Sequence, residues 1–136
     1  MSDLNRLYLE AIRKHAAHPV GFGQEIEPTH QHEEYNPLCG DRIRVQLRIS
    51  SGQIEAAAFQ GEACAICMAS ASLLCECIPG HTVEHLQTLR RRLTESLEGK
   101  DLSDDIETLK PLLGVRPYPS RIRCATMPWS AACAAL

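Results

Sequence analysis

The sequence predicts an α+β protein in which helices cover a small sheet. Apolar residues make up 44% of the 136 residues but aromatic residues only 4%, so the core must be built from aliphatic side chains and alanine. Between residues 42 and 49, apolar residues alternate with polar ones, which is typical of a half-buried strand. Other stretches repeat apolar residues at helical spacing. The length fits a single domain, residues 1–136, with one core.

The first half of the chain is expected to hold one helix and one hairpin. Apolar residues at helical spacing predict a helix from about residue 3 to residue 15, and the polar, patternless stretch 21–36 is expected to be a loop. The alternation through 43–49 predicts the first strand. A hairpin turn at 51–52 then leads into a second strand at about 53–60.

The middle of the chain is expected to be mainly helical. The segment 63–66 can form a short strand, and the small and aliphatic residues of 68–78 are typical of a buried helix that stops at Pro79. Thr82 can cap the next helix, which ends at Gly99.

Proline positions shape the prediction for the last third of the chain. Ser103 is expected to begin a further helical turn or two, and residues 129–136 are expected to form an alanine-rich terminal helix. Four prolines set the boundaries: Pro111 kinks or shortens the first of these helices, Pro117 and Pro119 hold an extended approach to Cys124, and Pro128 is tolerated in the first turn of the last helix.

Charge and cysteine content limit the classes of function. The net charge of −3 and the absence of a long basic tract give no footprint for nucleic acid, so the arginines at 90–92 are expected to form a solvated helix face. No stretch approaches the roughly 18 apolar residues of a membrane helix, and the first residues lack the apolar core of a signal peptide. We therefore expect a cytoplasmic protein with no membrane partner. Seven cysteines in a reducing compartment are more often metal-binding or reactive than cross-linked.

Three cysteines lie at predicted structural boundaries that are far apart in the sequence. Cys39 is followed by Gly40 and Asp41 in the turn before the first strand, Cys64 precedes a helix, and Cys124 precedes the last helix. Zinc and iron prefer thiolate ligands, and three cysteines with one carboxylate would complete a tetrahedral shell. Gly40 lets the backbone bend so that both of its neighbours can face one ion. A carboxylate ligand exchanges more readily than a fourth thiolate, which suits a carrier.

Three stretches of the chain resemble the cysteine motifs of the IscU/NifU N-terminal family, in the family's order and with compatible spacing. The resemblance runs from about residue 36 to residue 129. The three stretches are Tyr35-Asn36-Pro37-Leu38-Cys39-Gly40-Asp41, Gly61-Glu62-Ala63-Cys64-Ala65-Ile66-Cys67-Met68-Ala69-Ser70-Ala71-Ser72 and Arg121-Ile122-Arg123-Cys124-Ala125.

Within that family, two features resemble the SufU branch. The segment 80–119 between the second and third ligand cysteines is long, and Arg123 stands where a histidine would immediately precede the last cysteine. The resemblance implies a three-stranded antiparallel sheet covered by about five to six helices. It also implies a SufS-like cysteine desulfurase as partner and apo iron–sulfur proteins as recipients. The chain would then either assemble a transient cluster or accept persulfide sulfur with the support of zinc.

Carried onto this sequence, the resemblance makes Cys39, Asp41, Cys64 and Cys124 the expected metal ligands. The same three cysteines would hold a cluster and take part in the sulfur chemistry, with Cys124 as the persulfide acceptor. An acceptor needs thiolate character, which neighbouring positive charge or a metal supplies, and Arg121 and Arg123 flank Cys124 with positive charge. One hypothesis is that Cys124 leaves the metal to take sulfur while Asp41 or another group holds the ion.

The remaining cysteines and the histidines are weighed separately. Cys67 stands where SufU relatives commonly carry serine, so it forms a CxxC pair with Cys64. It could exchange as a ligand, relay a persulfide or form a reversible disulfide, or it could be a small buried residue of an alanine-rich helix. Cys75, Cys77 and Cys133 are expected to pack in helices. His30 and His32, close to Glu33 and Glu34, could form a surface metal site, but these histidines are expected to be solvated, as are His81 and His85.

Three functions remain open from the sequence alone. The first is a scaffold that assembles a labile [2Fe–2S] or [4Fe–4S] cluster. The second is a zinc-dependent sulfurtransferase that stimulates a cysteine desulfurase without holding a cluster, and the SufU-like features favour this function. The third is a zinc module for protein interaction without catalysis. The sequence does not choose between zinc and a cluster, because the same thiolates bind either one, and so it does not say whether the chain is an enzyme.

Overall fold

The computed structural model describes residues 3–100 and 104–136. Within these residues the chain forms three strands, four α-helices and one 3-10 helix, which confirms the predicted α+β class. The strands are β1 (His30–Tyr35), β2 (Arg42–Ser50) and β3 (Gln53–Glu62). The helices are α1 (Asp3–Ala17), α2 (Ala65–Cys77), α3 (Val83–Leu97), the 3-10 helix (Asp104–Val115) and α4 (Pro119–Ala134).

The sheet is antiparallel, with the strand order β1-β2-β3. The central strand confirms the alternating pattern, because Ile43, Val45 and Leu47 are fully buried on the side of the sheet that faces the helices. Ser51 and Gly52 both have positive φ angles, of 51° and 73°. Such a two-residue turn matches the twist of the strands it connects, so β2 and β3 form the predicted hairpin.

The prediction of a loop throughout 21–36 is wrong, because residues 30–35 form strand β1. This strand lies at the edge of the sheet and most of its side chains are exposed. It therefore carries no alternation of apolar and polar residues, although its backbone pairs with β2 along its whole length. The short strand predicted at 63–66 is also wrong, since α2 begins at Ala65.

Helices α1, α2 and α3 lie close to their predicted positions. Eight residues of α2 are buried, which explains why it lacks an amphipathic pattern. Helix α3 begins as predicted, with the Thr82 hydroxyl accepting a hydrogen bond from the His85 backbone N–H at 3.1 Å. Across residues 3–100 and 104–136, no helix has the length and apolar character needed to cross a membrane.

The last third of the chain is more helical than predicted. Helix α4 begins at Pro119, so Cys124 lies inside a helix and does not follow an extended approach. Proline is favourable there because the first turn of a helix leaves its N–H groups unpaired. Pro128 lies in the interior of α4 and not in its first turn. The 3-10 helix exceeds the predicted turn or two and contains Pro111, while Ser103 lies outside the described residues.

A buried hydrogen-bond chain joins α4 to α2. The indole N–H of Trp129, which is fully buried, donates to the Ser70 hydroxyl at 3.1 Å. That hydroxyl donates in turn to the carbonyl oxygen of Ala125, the residue after Cys124. Burying these polar groups is tolerated because each of them has a partner. The segment of α4 that carries Cys124 is thereby held against α2.

Candidate metal centre

The turn before β2 presents Cys39 and Asp41. The Asn36 N–H donates to the carbonyl oxygen of Asp41 at 2.8 Å, and the Gly40 N–H donates to the carbonyl oxygen of Asn36 at 2.8 Å. Gly40 has a φ of 80°, a conformation that favours glycine, which confirms the predicted bend. The two neighbours of Gly40 differ in environment, because Cys39 is exposed whereas Asp41 is only 6% exposed.

Cys64 occupies the N-cap position of α2, just after the end of β3. Its backbone N–H donates to Oδ1 of Asp41 at 3.0 Å, and its side chain is exposed. Since the first N–H groups of a helix lack partners within the helix, a carboxylate is well suited to this position. Asp41 therefore joins the turn before β2 to the start of α2.

Helix α4 brings the third cysteine to the same carboxylate. The Cys124 thiol donates to Oδ2 of Asp41 at 3.7 Å. The ligand atoms of Cys39, Asp41 and Cys124 all lie within 4.8 Å of one another. Cys64 is not part of this group of three, but its backbone N–H is bound to Asp41. The four residues singled out in the sequence thus meet in space.

The electrostatic environment of Cys124 differs from the prediction. Burial, a hydrogen bond with Cys64 and the negative charges of Cys64, Asp41 and Cys39 raise the pKa of the Cys124 thiol to about 12. The expectation that two flanking arginines would lower this pKa is wrong. The side chains of Arg121 and Arg123 are exposed, and the Arg121 guanidinium lies over a tyrosine ring. Cys124 is therefore a protonated thiol at neutral pH unless a nearby cation stabilises its thiolate.

This donor set is suited to a metal ion. Three thiols and one carboxylate lie together, and the surroundings of Cys124 raise the pKa of its thiol, so they favour its protonated form. Zinc and iron both bind such donors and both displace thiol protons. Among the residues that the structure describes, only Cys39, Asp41 and Cys124 form a group of three ligand atoms close enough to share one ion.

Cys67 lies in the first turn of α2, three residues after Cys64. Its side chain is fully buried, and burial raises the pKa of its thiol. The negative charges of Cys64, Asp41, Cys124 and Cys39 raise that pKa further. Sequence reasoning left two roles open for this residue, and its position is compatible with both.

The other candidate ligands lie elsewhere. Cys75 is buried in α2, and burial alone raises the pKa of its thiol to about 12. This agrees with the packing role expected for it. Cys77 and Cys133 are half-buried in helices. His32 is exposed on the edge strand, and the rings of His81 and His85 stack on each other with their centroids 4.3 Å apart.

A cavity of about 600 Å³ opens beside the cysteines. The thiol-bearing residues and Ala65 line one side, and Leu9, Ile12 and Arg13 of α1 line another. Sequence reasoning missed the residues of α1, because an amphipathic pattern shows that one face is buried but not which residues it faces. A reactant of modest size can reach the thiols through this opening.

The fold and the site together define a small α+β protein with a cysteine-rich centre suited to a metal ion. The chain belongs to the family described as the NifU-like N terminal domain, whose family model matches residues 7–136. This confirms the resemblance found in the three cysteine motifs.

Individual relatives are similar over nearly the whole chain. The zinc-dependent sulfurtransferase SufU of Bacillus subtilis (strain 168) is 34% identical over 96% of this chain and 89% of its own length. The iron–sulfur cluster assembly scaffold protein IscU of Streptococcus pyogenes serotype M1 is 30% identical over 96% of this chain and 83% of its own. A crystal structure of a hypothetical protein superposes with a TM-score of 0.86 at 30% identity, covering 96% of this chain and 97% of that chain. This similarity confirms the expected fold.

Proposed function

We propose that this chain is an iron–sulfur cluster assembly protein. It accepts persulfide sulfur from a SufS-like cysteine desulfurase and assembles or relays it toward [2Fe–2S] or [4Fe–4S] clusters for apo-proteins. The observation that carries the proposal is the meeting of Cys39, Asp41 and Cys124 within 4.8 Å, next to Cys64 at the wall of an open cavity. Relatives named for cluster assembly and for sulfur transfer support it.

The proposed ligands are Cys39, Asp41, Cys64 and Cys124, for either zinc or the iron of a cluster. When bound, such a metal stabilises thiolates that would otherwise be protonated at neutral pH. The chain's own contribution is positional. Asp41 is held by the Cys64 N–H at 3.0 Å, and the helix that carries Cys124 is held by the hydrogen-bond chain from Trp129.

The proposed sulfur transfer is a thiol–persulfide exchange. The Cys124 thiolate attacks the terminal sulfur of the desulfurase persulfide, forming a new S–S bond on Cys124. The S–S bond of the donor breaks, and the desulfurase cysteine leaves as a thiolate. The exchange consumes no external oxidant or reductant. The cavity beside Cys124 gives the donor sulfur a path to a residue that is otherwise 8% exposed.

Cys39 and Cys64 are more exposed than Cys124, so the acceptor is tested by comparing all three residues. Cys39→Ser, Cys64→Ser and Cys124→Ser are each incubated with a desulfurase and cysteine, and the protein mass is measured under non-reducing conditions. We expect Cys124→Ser to lose the gain of one sulfur atom completely, whereas Cys39→Ser and Cys64→Ser should still gain it but more slowly, because each of them removes only a metal ligand. Cys133→Ser serves as the control, because Cys133 is half-buried in α4 and does not line the cavity beside the other three cysteines. Full sulfur acceptance by Cys124→Ser contradicts this assignment.

A zinc-dependent sulfurtransferase is the second candidate function. It is favoured by the similarity to the Bacillus subtilis SufU and by the exposed arginine, in place of a histidine, immediately before Cys124. The two functions predict different metals bound to the protein, zinc for sulfur transfer and an iron–sulfur cluster for the scaffold. If the purified protein contains zinc and stimulates the desulfurase, and if a chelator abolishes this stimulation, the chain is a sulfurtransferase. Cluster absorption bands after anaerobic mixing with iron, cysteine and desulfurase select the scaffold.

Two further outcomes complete this experiment. Zinc without any effect on the desulfurase rate selects the third function, a zinc module for protein interaction. A purified protein that holds neither zinc nor a cluster and leaves the desulfurase rate unchanged contradicts all three functions.

The seven free cysteines are consistent with a reducing compartment, and we propose the cytoplasm as the site of action.

A further inference from the structure

The backbone hydrogen bonds of α4 are interrupted at Cys124, the residue proposed to accept sulfur. In an α-helix, each carbonyl oxygen accepts a hydrogen bond from the N–H four residues later. Pro128 lies four residues after Cys124, in the interior of α4, and proline has no backbone N–H. The Cys124 carbonyl oxygen therefore cannot receive this hydrogen bond. The proline ring also crowds the carbonyl group four residues before it, which kinks or weakens a helix at that point.

The carbonyl groups on either side of Cys124 have additional hydrogen-bond donors. The Thr126 hydroxyl donates to the carbonyl oxygen of Arg123 at 3.2 Å, and a contact of this kind slightly destabilises a helix and often bends it. The Ser70 hydroxyl of α2 donates to the carbonyl oxygen of Ala125. Three consecutive carbonyl groups of α4 thus depart from the regular helical pattern, and that of Cys124 is the middle one.

The two parts of α4 that meet at Cys124 differ in burial. Residues 119–123 are exposed or half-buried, whereas most of residues 124–132 are buried. The buried part is fixed to α2 by the hydrogen bond from the Trp129 indole N–H to the Ser70 hydroxyl at 3.1 Å. The weakened point of the helix therefore separates a fixed part from a less buried part. Local opening needs the least free energy in segments with few buried contacts.

We propose that Pro128 is a positioning residue, which lets the first turn of α4 move at Cys124 and bring the Cys124 thiol out of the donor group into the cavity. In the structure this thiol belongs to a residue only 8% exposed, and it lies within 4.8 Å of the ligand atoms of Cys39 and Asp41. A sulfur donor needs a more accessible thiol. The inference rests on the proposed function, in which Cys124 both binds metal and takes sulfur.

The test measures how fast iodoacetamide alkylates each cysteine of the reduced, metal-free, full-length chain, by mass analysis of its peptides. Pro128→Ala restores the missing N–H, so the Cys124 carbonyl oxygen regains its helical hydrogen bond. A buried thiol reacts only when the structure opens locally. One further hydrogen bond should slow the alkylation of Cys124 at least about 5-fold. Cys133, which follows Pro128 in the same helix, should react at an unchanged rate.

Pro119→Ala is the matched control. Pro119 is also a proline of α4, but it lies in the first turn, where an N–H has no partner within the helix. Its replacement should leave the alkylation of Cys124 unchanged. Thermal unfolding shows whether each variant is folded. Because Pro128 is buried, Pro128→Val, which restores the N–H with a larger side chain than alanine, is used if Pro128→Ala does not fold.

Amide hydrogen exchange gives a second measurement that needs no substitution. The helical hydrogen bonds from the N–H groups of residues 125–127 cross the proposed hinge at Cys124, whereas those of residues 130–132 lie beyond it. In the unsubstituted chain, the amides of residues 125–127 should exchange faster than those of residues 130–132. Equal protection of the two groups overturns the proposal.

The alkylation rates also have outcomes that overturn it. One is equal alkylation of Cys124 in the unsubstituted chain and in Pro128→Ala, and another is a slowing that Cys133 shares, because a space-filling proline affects the whole core. If Cys124 alone is slowed, Pro128→Ala should also gain sulfur from the desulfurase more slowly, and an unchanged rate of sulfur gain overturns the positioning role. An unsubstituted chain that gains no sulfur contradicts the proposed function, whereas alkylation and exchange still decide whether α4 opens at Cys124.

Discussion

Asp41 Oδ2 lies 3.7 Å from the sulfur of Cys124, although 83 positions separate the two residues in the sequence. The other carboxylate oxygen accepts the Cys64 N–H at 3.0 Å. One buried carboxylate therefore contacts the beginning of α2 and the middle of α4, while it belongs to the turn before β2. Oδ1 contacts the backbone of Cys64 and Oδ2 contacts the thiol of Cys124, so different substitutions of Asp41 can affect the two contacts separately.

Replacing Asp41 should separate metal binding from helix capping. We expect Asp41→Asn to lower metal affinity at least about 10-fold, because it removes the charge, while its amide oxygen still accepts the Cys64 N–H. Asp41→Ala should lose the same affinity and in addition about 1 kcal/mol of metal-free stability, because the N–H loses its acceptor. Chelator competition and urea unfolding measure the two effects. Equal metal-free stability of the two variants contradicts the capping role.

The hydrogen-bond chain from α4 to α2 should behave as a coupled pair. Ser70→Ala leaves the buried Trp129 N–H without its acceptor, and we expect a loss of about 1–3 kcal/mol in the free energy of unfolding. Trp129→Phe removes the donor and also shrinks a fully buried ring. The double variant should lose less than the sum of the two single variants, and denaturant unfolding of all three measures this difference. Strict additivity would show that the hydrogen bond contributes nothing.

Two glycines beside the site should respond differently to a methyl group. At Gly61, with a φ of 150°, an added Cβ would overlap the carbonyl oxygen of Arg42 on the neighbouring strand. At Gly40, with a φ of 80°, an added Cβ meets no atom within 4 Å. We expect Gly40→Ala to cost about 1–2 kcal/mol from backbone strain alone. Gly61→Ala should cost more, as measured by thermal unfolding, and the reverse order contradicts the register of β2 and β3.

Stability of the metal-free protein should fall at alkaline pH. Burial raises the pKa of the Cys75 thiol from 9.0 to about 12, so this thiol ionises in the unfolded chain before it ionises in the folded one. The stabilisation is complete below pH 9 and is lost as the pH rises toward 12, by up to about 1.4 kcal/mol per pH unit for each such thiol. Urea unfolding under reducing conditions from about pH 8 to about pH 10.5 measures the slope.

Cys75→Ala isolates the contribution of this one thiol. Its free energy of unfolding should fall less steeply with pH than that of the unsubstituted chain. The comparison concerns slopes, so a constant loss from the smaller side chain does not affect it. Identical slopes would mean that Cys75 is not buried in the folded state.

Much of the secondary structure could be predicted because it depends on local signals. The alternation in β2, the hairpin turn at Ser51 and Gly52, and the Thr82 cap each involve neighbouring residues, and the structure confirms them. The errors arose where the local signal was absent. Strand β1 is polar because it lies at an edge, and α4 begins earlier than expected because Pro119 occupies a first turn, where proline is tolerated.

The candidate site could also be predicted only in part, since its residue types are visible in the sequence but its contacts are not. The sequence by itself determined the α+β class, the family and the residues Cys39, Asp41, Cys64 and Cys124, because residue types and motif spacing are recorded along the chain. Only the tertiary structure decided that Asp41 contacts both Cys64 and Cys124, that Cys67 is fully buried, and that α1 lines the cavity. The pKa of Cys124 was also decided there, because burial and neighbouring charges set it, and both depend on contacts between distant segments.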